Sequence, residues 1–126
     1  MKTAIEAPDI PKAIGPYSAA ISHGNMLFTA GQLGVNPKTG QFSGESIQEQ
    51  TRQALENMSV ILKKSGFSFE DVVKVTVYLA DIAEFSAMNE VYAEYFPAPF
   101  PARSAFQVAA LPRNARVEIE AIAIQE

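Results

Sequence analysis

Apolar side chains recur along this chain with two periods, and the switches between them mark its elements. From Tyr17 to Ala30, two short apolar runs flank Ser22-His23-Gly24-Asn25, whose Gly and Asn suit a hairpin turn, so the segment reads as strand, turn, strand. After turn chemistry at Val35 to Gly40, Ser46-Ile47-Gln48-Glu49 has the form of a capping box. Ile47, Thr51, Ala54, Leu55, Met58, Ile61 and Leu62 follow at spacings of three and four, and Lys63, Lys64 and Gly66 supply a cationic last turn and a stop. Val72 to Leu79 alternates Val73, Val75, Val77 and Leu79 against Val72, Lys74, Thr76 and Tyr78, which predicts a strand buried on one face and half-buried on the other. Asp81 caps a second predicted helix with the stripe Phe85, Met88, Val91, Tyr92, Tyr95 and Phe96, ended by Pro97 and Pro99. Two last strands are expected at about Ala102 to Val108 and Arg116 to Ile124, joined through Leu111-Pro112-Arg113-Asn114. The predicted order is β-β-α-β-α-β-β, preceded by an irregular surface arm over Ala7 to Pro16, where Pro8, Pro11, Gly15 and Pro16 oppose a helix.

Two helices cover only one face of such a sheet. On the last strand Glu118, Glu120, Ile122 and Ile124 share one face, while Val117, Ile119, Ala121 and Ala123 share the other and suit helix packing. The face away from the helices then carries Ile122, Ile124, Tyr78 and Thr76 beside two carboxylates, and exposed apolar surface of this kind marks an interface. A homo-oligomer with sheets facing inward is expected. The alternative is an N-terminal arm folded over that face.

Composition narrows the chemistry. At 126 residues, with 48% hydrophobic and 19% charged residues, the chain is expected to form one soluble domain over residues 1–126. Cys 0 removes disulfides, zinc-thiolate sites and thiol nucleophiles, and His 1 nearly excludes a His-rich metal site or a His-dependent triad, so neither metal nor cofactor is expected. The N-terminal residues show no signal-peptide run and no segment has a membrane span's length of apolar residues, so a cytoplasmic protein without membrane partners is expected. A net charge of −4 argues against nucleic acid as a partner.

The chemistry therefore falls to Arg, carboxylates, Tyr, Ser or backbone groups. Arg103 enters a strand with apolar neighbours on both sides in Phe100-Pro101-Ala102-Arg103-Ser104-Ala105-Phe106, and a guanidinium so placed needs an anion. Two readings stand: an internal salt bridge to Glu118 or Glu120, should the last two strands form an antiparallel hairpin, or a site for a ligand's carboxylate. Glu118 and Glu120 point the same way and repel, so one of them is a candidate for a raised pKa. Tyr17, after Ile14-Gly15-Pro16, is either aimed by a rigid turn or an ordinary half-buried tyrosine. Gly31 either lets a ligand approach the backbone or marks a strand-end bulge. His23 reads as a turn residue, and no phosphate loop, dinucleotide fingerprint or nucleophile elbow is present.

Ile14-Gly15-Pro16-Tyr17-Ser18, Thr29-Ala30-Gly31-Gln32, Gln50-Thr51-Arg52-Gln53-Ala54-Leu55-Glu56-Asn57, Phe100-Pro101-Ala102-Arg103-Ser104 and Val117-Glu118-Ile119-Glu120-Ala121 together resemble the RidA/YjgF family of imine deaminases over nearly the whole chain. The resemblance implies an α+β, chorismate-mutase-like fold, a mixed sheet with two helices on one face, assembled as a homotrimer whose sheets line a central barrel, with ligand clefts between subunits. The implied reaction is hydrolysis of enamines and imines such as 2-aminoacrylate, 2-iminopropanoate and 2-iminobutanoate to 2-keto acids and ammonia, without cofactor. By resemblance Arg103 binds the substrate carboxylate, Glu118 activates water and handles protons, Tyr17 helps close the pocket, Gly31 and Ala105 offer backbone contacts, and Phe85 and Asn89 are further pocket candidates. Many family members carry a cysteine where this chain has Ala105, so only a backbone role survives there. The choice of Glu118 over Glu120 comes from the resemblance alone. Rival readings are a non-catalytic carboxylate-binding or chaperone-like trimer, and an endoribonuclease or translation inhibitor, which would need a basic surface stripe.

Overall fold

A computed structural model describes residues 1–126. Its elements are β1 (Thr3–Ile5), β2 (Ala20–His23), β3 (Met26–Thr29), β4 (Gln32–Leu33), α1 (Ile47–Lys64), β5 (Val72–Leu79), α2 (Phe85–Tyr92), β6 (Ala102–Gln107) and β7 (Val117–Ile124). The strands make one mixed sheet in the order β1-β2-β3-β7-β5-β6, with β4 also pairing β7. Only β5 and β6 run parallel. This is the α+β arrangement the sequence predicts.

Local chemistry explains the expected elements. Gly24 takes the positive φ (58°) of the two-residue turn between β2 and β3. At the start of α1 the Ser46 hydroxyl accepts from the Glu49 N–H (3.1 Å) and the Glu49 carboxylate accepts from the Ser46 N–H (3.4 Å), closing the capping box. Leu55, Met58 and Leu62 of α1 and Met88 of α2 share a buried cluster with Val75, Val77 and Leu79 of β5 and Val117, Ile119, Ala121 and Ala123 of β7. Their alternates Thr76, Tyr78, Glu118 and Glu120 face the other way.

Four expectations need correction. The last two strands do not form a hairpin. A βαβ crossover through α2 returns β6 parallel to β5 at the sheet edge, with Arg103 beside Val75, and β7 inserts between β3 and β5. Second, a bulge between Val72 and Lys74 turns Val73 out to 43% exposure and sends Val72 into the core in its place. Third, the second helix stops at Tyr92. Asp81 caps a short 3₁₀ turn before it (Oδ1 to the Ala83 N–H, 2.9 Å), and the chain tightens after it so that the Tyr95 and Phe96 rings reach Phe69 at 5.7 and 5.0 Å. Fourth, the short strands β1 and β4 were not expected, because three and two residues are too few to show alternation.

The arm over 7–16 is irregular as expected and buries Ile10. It does not cover the open face, where Phe28, Phe106 and Ile124 keep 39%, 45% and 38% exposure. Asn57, buried in α1, donates to the Leu33 and Val35 carbonyls (3.3 and 2.9 Å) and accepts from Gln53 (2.8 Å), which ties β4 to the helix. Asn57→Ala strands two carbonyls and is expected to lower the thermal midpoint by roughly 6–10 °C, from a loss of about 2 kcal/mol. Differential scanning calorimetry checks this.

Candidate active site

A break in the β3–β4 edge builds the first half of the site. The Thr29 hydroxyl replaces a backbone partner by accepting from the Ala121 N–H (3.0 Å), and pairing resumes only at Gln32 opposite Ile119 and Leu33 opposite Glu118. Ala30 and Gly31 therefore bulge out against Glu120 alone. The Glu118 carboxyl fills the room beside Gly31: a Cβ at position 31 would lie 1.9 Å from Glu118 Oε2 and 2.8 Å from its Cγ. Glycine is required here for close approach and not for φ. Tyr17, Gly31 and Glu118 line one cleft of about 660 Å³, with the arm (Lys12, Ile14) and Arg113 on its other walls. Three of the expected site residues thus meet.

The two carboxylates of β7 are not equivalent. Glu120 accepts from the Tyr78 hydroxyl (2.9 Å) and is not among the cleft-lining residues. Glu118 has no hydrogen-bond partner in the chain, and burial first, then the charge of Glu120, raises its pKa above the ordinary carboxylate value. A carboxyl raised on folding favours the native state while protonated, and that contribution is lost as pH rises through the folded-state pKa. Glu118→Gln is therefore expected to raise the thermal midpoint at neutral pH, with the gain shrinking toward pH about 4, where the unfolded-state carboxyl also protonates. Melting curves at several pH values check the sign.

The second half lies at the β6 edge. Arg103 points to the helix face, where Nη1 donates to Asn89 Oδ1 (2.7 Å) and the guanidinium carbon sits 4.6 Å from the Tyr92 ring centroid and 5.4 Å from that of Phe85. The ion pairs of the chain are Arg52–Glu94 and Arg116–Glu84, so no carboxylate neutralises Arg103. Ala105 follows two residues on, half-buried and on the same face. Of the two readings of Arg103, the internal salt bridge falls: Glu118 and Glu120 occupy the opposite face.

Within one chain the halves do not meet. Glu118 on β7 and Arg103 on β6 have β5 between them, about 10 Å at ordinary strand spacing, and their side chains leave opposite faces of the sheet. Arg103, Ala105, Phe85 and Asn89 form one group, and Tyr17, Gly31 and Glu118 the other. His23, read as a turn residue, is instead the exposed last residue of β2, paired with Met26 beside the turn. Sequence reasoning missed Tyr92 as a site residue, although Phe85, Asn89 and Tyr92 are spaced four and three apart and so share one face of α2. It missed Lys12 and Arg113 too, which reach the cleft only through tertiary placement.

Known proteins match this chain closely. A family model described as Endoribonuclease L-PSP matches residues 7–125. The Arabidopsis thaliana protein named Reactive Intermediate Deaminase A, chloroplastic, is 54% identical over 97% of this chain, which spans 65% of that protein's length. The Homo sapiens protein named 2-iminobutanoate/2-iminopropanoate deaminase is 48% identical over 99% of this chain and 91% of its own. The crystal structure of E. coli TdcF with bound serine superposes with a TM-score of 0.92 at 40% identity, covering 98% of this chain and 99% of that one. Along the chain, the matched span takes in the Gly31–Glu118 cleft, the Arg103 edge and the sheet that separates them, and this protein belongs to the Endoribonuclease L-PSP family, the RidA/YjgF proteins.

Proposed function

We propose that this chain is a 2-iminobutanoate/2-iminopropanoate deaminase, hydrolysing 2-imino acids and their enamine tautomers to 2-keto acids and ammonia without a metal or cofactor. The observation that carries this reading is the Arg103 guanidinium, half-buried between aromatic rings with no carboxylate of its own. Such a group suits a ligand carboxylate held by its planar fork. The names of relatives at about half identity support the same substrate class, and the serine bound to TdcF is an amino acid with the same carboxylate.

The chemistry asks little of the protein. In the protonated imine, carbon 2 is already electrophilic. Glu118 takes a proton from water as the water oxygen bonds to that carbon, giving a carbinolamine. The same carboxyl returns the proton to nitrogen, and as the C–N bond breaks and ammonia leaves, the hydroxyl gives its own proton to the freed Glu118 carboxylate and becomes the keto group. A carboxyl with a raised pKa suits both the taking and the giving of that proton. Arg103 and the cleft walls contribute by positioning.

The complete site is assigned to an interface in a homotrimer. One protomer supplies the β6 edge and its neighbour the cleft of Tyr17, Gly31 and Glu118, with the open sheet faces turned inward. The unpaired apolar surface of Phe28, Phe106 and Ile124 supports this.

The family description favours a ribonuclease as the second reading. Against it stand the net charge of −4 and the pairing of Arg52 and Arg116 with glutamates. The decisive assay generates 2-aminoacrylate with a serine dehydratase and follows keto-acid release with and without the protein. Acceleration is expected. Cleavage of RNA with no acceleration would replace the deaminase by the nuclease, and neither activity would leave a carboxylate binder.

A further inference from the structure

Arg103 is held more tightly than a simple anion contact needs. Phe85, Asn89 and Tyr92 are presented by one face of α2, and all three touch its guanidinium. Tyr92 is only 7% exposed, and its ring is stacked on Phe96 at 4.4 Å and 24°, which leaves the other ring face for the cation. Phe96 is in turn backed by Phe69 in an edge contact at 5.0 Å. The Tyr92 hydroxyl is buried with no partner in hydrogen-bond geometry, and the nearby Arg103 guanidinium opposes the upward push that burial gives its pKa.

We propose that Tyr92 and Asn89 are positioning residues for Arg103: the ring fixes the plane of the guanidinium, and the amide oxygen on Nη1 fixes its rotation within that plane. Asn89 occupies part of the donor fork, which leaves the remaining edge to a planar carboxylate. A neutral amide does this where a carboxylate could not, since an aspartate at 89 would form the ion pair that Arg103 now lacks. Stacking keeps water off the faces of the guanidinium, so its charge is directed to the free edge. Asn89 then acts through Arg103 and not as a substrate contact. This rests on the reading of Arg103 as the carboxylate anchor, and its test separates the two.

The test has one arm without ligand and one with it. In the first, nitrogen-15 spectra of the arginine side chains are recorded on the assembled protein. Restricted rotation is expected to give separate Arg103 Nη signals in the native protein, assigned by their loss in Arg103→Lys. Those signals are expected to average together in Asn89→Ala and Tyr92→Leu and to persist in Tyr92→Phe, which keeps the ring. Averaged signals in the native protein, or separate ones in Asn89→Ala, overturn the proposal. In the second arm calorimetry measures binding of 2-oxobutanoate, a stable 2-keto acid. Tyr92→Leu is expected to weaken binding about tenfold and Tyr92→Phe by less than about threefold. Asn89→Asp is expected to weaken binding at least as much as Tyr92→Leu while keeping the native melting temperature. Native-like binding by both Tyr92→Leu and Asn89→Asp would also overturn the proposal. If the native protein shows the locked guanidinium but neither binds 2-oxobutanoate nor accelerates keto-acid release, the positioning role stands and the deaminase reading falls.

Discussion

Replacing Arg103 by alanine is expected to reduce kcat/KM for imine hydrolysis by about a thousandfold, the scale of losing a desolvated bidentate contact to a carboxylate. The protein should remain folded. Arg103 has no ion-pair partner in the chain, so its removal leaves no carboxylate stranded, and the hydrogen bond it gives up is one to a neutral amide. The melting temperature is therefore expected to change by no more than about 4 °C, far less than the activity. Arg103→Lys sharpens the test, because it keeps the charge and loses the fork. An ammonium cannot lie flat on Tyr92 while bonding Asn89 and a carboxylate together, so most of the loss, about a hundredfold, is expected to remain. Steady-state kinetics on both variants, with the imine produced in place, reads the result. Near-native activity in Arg103→Ala would remove the anchor and the function built on it.

The fold was legible where a pattern ran long enough to show its period. Eighteen residues of α1 carry a cap, a stripe and a cationic end, all of them local signals. The strand at β7 showed its two faces because each has several members, and this was enough to leave one sheet face without a cover. Pairing was not legible. Nothing local to Ala102–Gln107 says whether it lies beside β5 or β7, and the crossover through α2 decides it. That choice also settles which face Arg103 takes. Composition left one arginine and two glutamates in view but could not rank the glutamates, because strand periodicity treats Glu118 and Glu120 alike. Their difference arises from Tyr78 across the sheet and from the missing side chain at Gly31. Both are tertiary facts, as is the socket that Tyr92 completes.

Mixing two inactive variants gives the sharpest test of where the site lies. In one chain Arg103 and Glu118 lie on opposite sheet faces, with the strand β5 between the elements that carry them, so a composite site must draw them from different protomers. Arg103→Ala and Glu118→Gln are each expected to be nearly inactive as pure oligomers. When they are unfolded together in equal amounts and refolded, a cleft is intact if its Arg103 comes from a Glu118→Gln chain and its Glu118 from an Arg103→Ala chain. With random assembly that has a probability of about one half times one half, so about a quarter of native activity should return. The fraction does not depend on the size of the ring, provided each cleft joins two neighbours, so the test does not presuppose a trimer. A site within one chain predicts no recovery, because every protomer would carry one defect. Activity near a quarter assigns the cleft to the interface, and activity at the background of the separate variants returns it to the single chain.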